Sequence, residues 1–274
     1  MTEPRRTGRG RPPQVPPTPR EPIGRDRAGQ QRGPKRSPNR SEGPQRPDIA
    51  ADTEIDLPAR VRKEIDRLVN ERSRAQDVKI CLTLGTAASE EDDHASARRY
   101  LAWAKHLAPR STSVRETFGI ALYRAGDLRG ALSELQTYRR MSGSNDQNHL
   151  LADCLRAEAR DLDRAVSVGM ELVEDETGDI ERRVEAAIVV AAVHLSTGRP
   201  ARAGAVITPF LSGPVARNVP SESMVRLLWV AADVAEAEDA PDRAIEALRR
   251  LLNLDKAYED AEERLAGLLG RSGR

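Results

Sequence analysis

Between Val78 and Asn145 a pattern of small and apolar residues is written twice at one spacing. Leu84-Gly85 is followed by Ala97, Leu101, Ala104 and Pro109; Phe118-Gly119 is followed by Ala131 and Leu135, with Gly143 in place of the proline. Gly85 to Gly119, Ala97 to Ala131 and Leu101 to Leu135 are each 34 residues apart, the period of a helix-turn-helix repeat. Glycine inside such apolar-periodic stretches costs a helix about 1 kcal/mol relative to alanine, so a packing role is expected for it. A residue without a Cβ, facing the alanine of the next helix, lets two helices approach closely. Gly126-Asp127 predicts the turn between them: glycine takes the left-handed C-terminal position and aspartate caps the following helix.

The pattern extends in both directions. Leu57, Val61, Ile65, Leu68 and Val69 recur at helical spacing and predict a helix from Pro58 to about Arg74, with Thr53 or Asp56 as its cap, covering the first repeat. Asp161-Leu162-Asp163-Arg164-Ala165 answers Asp127 to Ala131, again 34 residues on, and Asp153 replaces the glycine of the preceding helix, Asn148 to Arg160, so that crossing should be looser or polar. A fourth and a fifth pair follow out of phase, their alanines Ala203 and Ala244 lying 38 and 41 residues further on. The excess is placed in the acidic Glu174 to Asp179 and in Ser212 to Ser221. Ala257 to Leu269 predicts an amphipathic closing helix.

In these residues the chain resembles the tetratricopeptide repeat family, whose template reads W-x2-L-G-x2-Y, A-x3-F, P. The chain gives Cys81-x2-Leu84-Gly85-x2-Ala88, Ala97-x3-Leu101 and Pro109, then Arg115-x2-Phe118-Gly119-x2-Leu122 and Ala131-x3-Leu135. The Trp and Tyr of the template are replaced by Cys81 and Arg115 and by Ala88 and Leu122, while the small-residue positions survive. The resemblance implies an all-α, right-handed solenoid of stacked helix pairs, in one piece or hinged near residues 174–183. Its parts would be a tail over 1–51, a capping helix over 52–77, three repeats over 78–179, two degenerate pairs over 180–256 and a final cap over 257–274.

Composition changes this picture at the N-terminus. With 38% hydrophobic but only 3% aromatic residues, the core must be built from Leu, Ala and Val. Residues 1–51 contain no Phe, Trp, Tyr, Leu or Cys, and hold eleven of the 18 prolines with twelve cationic against five anionic side chains, a net of +7 that leaves −6 for the remainder. Such a stretch buries too little apolar surface to offset ordering entropy, and a disordered tail is expected. No apolar core of a secretory signal occurs in it, and no run approaches the roughly 20 apolar residues of a membrane span. The expected location is cytoplasmic, without a membrane partner. The Arg- and Ala-rich usage resembles that of a GC-rich bacterial genome.

Chemistry is sparse. His94, His106, His149 and His194 show no metal-ligand spacing, Gly8 and Gly10 form no phosphate loop, and no nucleophile, base and acid assemble. The expectation is a non-enzyme without cofactor, metal or small-molecule substrate, with Cys81 and Cys154 as small apolar filler. The resemblance implies instead a concave groove lined by the first helix of each pair. Its ligand positions map to Lys79, Leu82, Thr86 and Ser89; Ser113, Glu116, Ile120 and Tyr123; Gln147, Leu150, Cys154 and Ala157. The Lys and Asn pattern of family members that clamp a C-terminal carboxylate is missing, and Leu82, Ile120, Tyr123 and Leu150 suit an apolar or amphipathic peptide. Stacking is also expected to gather Arg115, Arg139, Arg140, Asp153 and Arg156 into a charged network, with Arg115 or Arg156 compensating Asp153.

The functional expectation is a scaffold that binds a partner protein or peptide. The alternative is an RNA- or ribosome-associated protein whose arm, with Arg5, Arg6, Arg9, Arg11, Lys35 and Arg36, contacts a polyanion through phosphates. The arm has no aromatic residue of its own to stack on bases.

Overall fold

The computed structural model describes residues 43–50, 52–159 and 161–272. Among them there are twelve α-helices, one short 3-10 turn at Val215–Asn218, and no strand. The chain divides into two compact units, Met1–Val114 and Arg115–Arg274. The tail predicted over residues 1–51 lies outside the described residues except for 43–50. These last eight form no helix, and Arg46 donates to both carboxylate oxygens of Asp77, at 3.0 and 3.1 Å.

The first unit holds α1 (Ala59–Leu68), α2 (Arg72–Glu90), α3 (His94–Leu107) and the start of α4 (Thr112–Arg124). The single helix predicted from Pro58 to Arg74 is in fact two. Val69 is buried in an extended conformation (φ −115°, ψ 101°), and α2 starts afresh at Arg72, so the first repeat begins before residue 78. Pro58, not Thr53 or Asp56, occupies the N-cap of α1, and the Thr53 hydroxyl donates to the Ala50 carbonyl. Glu64 of α1 accepts from the backbone N–H and hydroxyl of Thr112 and from Ser113 Oγ, capping the start of α4 from outside. Burial opposes ionisation of Glu64, but the hydrogen bonds from Ser113 and Thr112 outweigh it and hold the carboxyl below its ordinary value.

The second unit continues α4 and adds α5 (Leu128–Ser142), α6 (Asn148–Glu158), α7 (Leu162–Val173), α8 (Ile180–Ser196), α9 (Pro200–Leu211), α10 (Ser221–Ala237), α11 (Pro241–Leu254) and α12 (Ala261–Ser272). Helices here pack on the next, and α6 on α8 and α8 on α10 pack on the next but one. The hinge expected near residues 174–183 is not where the units part. Gly169 of α7 allows Val190 of α8 close, the Arg183 guanidinium donates to the Val173 carbonyl, and Asp179 caps α8, so α7 and α8 stay joined. The closing helix starts at Ala261 rather than Ala257. Tyr258 instead packs its ring on Trp229, 5.7 Å between centroids, and Glu259 turns the chain at φ +39°.

The turns within the helix pairs repeat one geometry. The N–H groups of Asp93, Asp127, Arg199 and Ala240 bond to the carbonyls of Ala88, Leu122, His194 and Ala235, each five residues back, at 2.8 to 2.9 Å. The preceding residue is left-handed in every case: Asp92 at φ +59°, Gly126 at +73°, Gly198 at +69° and Asp239 at +55°. Asp93, Asp127 and Asp161 then accept the N–H three residues on as side-chain caps, and Pro200 and Pro241 open α9 and α11. All five phased alanines, Ala97, Ala131, Ala165, Ala203 and Ala244, are buried.

One packing expectation needs correction. The atoms nearest to a Cβ at Gly85 and Gly119 belong to the leucines four residues after the phased alanines. A Cβ on Gly85 would stand 2.6 Å from Leu101 Cγ, and one on Gly119 would stand 2.7 Å from Leu135 Cδ2. In the third copy the pair is exchanged: Asp153 stands at the glycine position and Gly169 at the leucine position, 34 residues after Leu135.

Gly119→Ala should therefore destabilise the chain by about 1 to 2 kcal/mol, overpacking against Leu135 exceeding the gain in helix propensity. Gly267→Ala, in α12 with nothing within 4 Å of the new methyl, should stabilise it by up to about 1 kcal/mol. Urea denaturation midpoints of the two variants should move in opposite directions.

Candidate functional site

The residues predicted to line a groove fall into both units, and several are taken up by structure. In the first unit Leu82 is only 2% exposed and belongs to the core, so it offers no binding surface, and Ser89 is buried as well. Lys79 donates to Asp66 at 2.5 Å, tying α2 to α1, Ser113 is spent on Glu64, and Thr86 is half-buried on α2. In the second unit Gln147, at the N-cap of α6, is buried and donates Nε2 to Glu116 of α4 at 2.9 Å. Cys154 is buried too, whereas Ala157 is exposed. Ile120, Tyr123 and Leu150 are half-buried on α4 and α6.

The predicted charged network is divided among separate partners. Arg115 donates to the buried Glu134 of α5 at 2.6 Å, and Arg139 of α5 donates to Glu171 of α7 at 2.5 Å. Arg140 is exposed. Asp153 is compensated by Arg156 of its own helix, Nε to Oδ1 at 2.8 Å, and by the Tyr123 hydroxyl, which donates to Oδ2 at 2.6 Å. Burial, and then the neighbouring Asp153 carboxylate, push the Tyr123 phenol well above its ordinary value. Tyr123 is thus a hydrogen-bond donor at any physiological pH.

Beyond Asp153 the same face continues through residues that the repeat spacing did not flag. Arg226 of α10 grips Oε1 of Glu185 on α8 with both Nε and a terminal nitrogen. Arg264 of α12 donates to Glu236 at 2.8 Å and Asp233 at 2.6 Å while its guanidinium lies 4.5 Å from the centre of the Trp229 ring. Burial raises the carboxyl pKa of Glu185 and of Asp233 despite their arginines, with the charges of Glu181 and Asp153 adding to the first and that of Glu236 to the second. Burial also lifts the Tyr258 phenol to about 12. The result is a half-buried polar and aromatic band running across α4, α6, α8 and α10 and closed by α12. A signal for part of it was present in the sequence: Arg226, Trp229 and Asp233 recur three and then four residues apart, on one face of a helix.

The remaining candidates give less. Burial pushes both the Cys81 and the Cys154 thiol up to about 12, which keeps them protonated and unreactive. Arg5, Arg6, Arg9, Arg11, Lys35 and Arg36 lie outside the described residues. No helix of the described residues is long and apolar enough to cross a membrane, and none of their His, Cys, Asp and Glu side chains form a group of three placed to hold a metal ion.

On the same face His149 of α6 is held to a pKa of about 4, by burial first and by the charge of Arg182 second. Its folded value lies below the ordinary 6.5, so as pH falls the unfolded chain takes up a proton first. The stability due to neutral His149 is complete above pH 6.5 and is lost progressively towards pH 4, up to roughly 3 kcal/mol. His149→Gln should flatten the fall in urea midpoint over that window relative to the unaltered chain. Neither protein-family models nor curated proteins match this chain.

Proposed function

We propose that the chain is a non-enzymatic interaction scaffold of the tetratricopeptide type, wound right-handed, whose second unit receives a peptide segment of a partner protein along the band from Tyr123 to Arg264. One observation carries this reading: Glu185 and Asp233 are held half-dry beside Trp229 and Tyr258, although folding alone would be served as well by apolar residues there. The band brings five carboxylates (Glu116, Asp153, Glu185, Asp233 and Glu236) against three arginines (Arg156, Arg226 and Arg264), and residues 115–274 as a whole carry 27 anionic and 21 cationic side chains. The partner segment is therefore cationic and amphipathic, its basic groups meeting the excess carboxylates and its apolar ones meeting Ile120, Leu150 and the rings. This adds charge to the apolar or amphipathic partner that the sequence suggested.

A library of synthetic peptides screened against immobilised full-length protein should enrich sequences in which Arg or Lys alternates with apolar residues. Replacing Glu185 by Gln together with Asp233 by Asn should weaken the best peptide by about tenfold, equivalent to ~1.4 kcal/mol, without shifting the thermal midpoint downward. Affinity should also fall on acidification, beginning above the ordinary carboxylate range because both carboxyls are raised. Enrichment of acidic peptides, or affinities indifferent to the double substitution, would reject the reading.

A further inference from the structure

The first unit carries a cleft of about 420 Å³ between residue Arg46 and helices α2 and α3. We infer that this cleft is a stacking site for a base of single-stranded nucleic acid. One wall is a pair of rings on α3: Trp103 and the exposed His106 are stacked, 5.3 Å between centroids and 29° between planes. Both residues line the cleft, and the face of one ring left free by the stack is the element that sequence-tolerant binding of unpaired bases requires. The rim supplies the rest of a nucleotide's partners. Arg46 uses Nε and one terminal nitrogen on Asp77, and its side chain is 57% exposed, so its remaining donors are available to a phosphate. Arg74, 62% exposed, pairs through Nε with Glu71 three residues before it at 2.8 Å, an exposed pair worth little by itself. The Asp77 and Glu71 oxygens accept hydrogen bonds from exocyclic amino groups of a base.

Charge selects this ligand over a peptide. Residues 43–114 are neutral overall, with twelve cationic and twelve anionic side chains, whereas residues 1–42 carry eleven cationic against four anionic ones. That cationic stretch is joined in sequence to Gly43, which lies against His106, close enough that a Cβ on it would stand 3.5 Å from the ring, and Arg46 of the cleft follows three residues later. A polyanion drawn by the upstream charges is delivered to the ring pair by the covalent connection. A cationic peptide is repelled by the same charges, and an acidic peptide brings no flat ring to the wall. The arm has no aromatic residue, and the folded unit supplies it with one.

The test uses the full chain carrying Trp229→Phe, so that Trp103 is the sole indole. A fluorescently labelled twelve-nucleotide oligoadenylate RNA is compared with an abasic oligomer of the same length and charge, and with oligoglutamate. The oligoadenylate should quench Trp103 and bind about tenfold more tightly than the abasic oligomer, as one stacked base is worth roughly 1 to 3 kcal/mol. His106→Ala, at an exposed position, should remove most of that tenfold difference while leaving the dependence of binding on salt unchanged, since the ring contributes stacking and not phosphate contact. Trp103→Leu serves as the second variant and should abolish the preference. Equal binding of base-bearing and abasic oligomers, absence of quenching, oligoglutamate binding as tight as RNA, or no binding of RNA at all would each overturn the inference.

Discussion

The close crossing of the two helices in a pair is the constraint on which the remainder of the structure depends. Leu101 and Leu135 sit where Gly85 and Gly119 have no side chain, and the phased alanines are buried. At that separation a single methyl is out of place, because close-packed interiors relax only in part. The third copy solves the same problem by exchange: a polar side chain enters at Asp153, and the glycine moves to Gly169, where Val190 of the next pair fills the space. This exchange joins α7 to α8 tightly, and the acidic segment between them, bound through Asp175 and Asp179, acts as a short connection within one unit.

In the second unit α6 packs beside α8 and α8 beside α10, and their facing positions become half-buried. Side chains there must be apolar or compensated. This chain uses compensation, with Tyr123 and Arg156 on Asp153, Arg226 on Glu185, and Arg264 on Asp233 and Glu236. The compensation is incomplete at Glu185 and Asp233, where burial outweighs the paired charge and raises both carboxyls. Incompletely solvated carboxylates beside aromatic rings are costly for folding and favourable for a cation that arrives later, which is why the binding proposal is placed on this band and not on the leucine-rich interior.

The chain's small net charge of +1 is a sum of unlike parts, +7 for residues 1–42, zero for residues 43–114 and −6 for residues 115–274. Aromatic pairs occur in both units: Trp103 stacks with His106 in the first, and in the second Trp229 and Tyr258 meet at a 58° tilt while packing against the core around Leu228 and Leu248.

The sequence by itself determined the period, the turns and the interior of the pairs, because these depend on residues close together in the chain. A glycine and an aspartate at Gly126-Asp127 dictate a left-handed stop and a cap, and alanines spaced in phase dictate a buried stripe. Tertiary structure alone decided the partners: that the side chain nearest Gly85 is Leu101 and not Ala97, that Arg115 turns to Glu134 and leaves Asp153 to Arg156 and Tyr123, and that Leu82 is core. It also decided that one predicted helix breaks at Val69 and that the units divide at Val114, not near residue 174. The partner choices depend on the rotation of each helix about its axis against its neighbours, which spacing along the chain does not specify. The slipped phase of the fourth and fifth pairs hid that rotation from any reading by spacing, and with it Glu185, Arg226, Asp233 and Arg264.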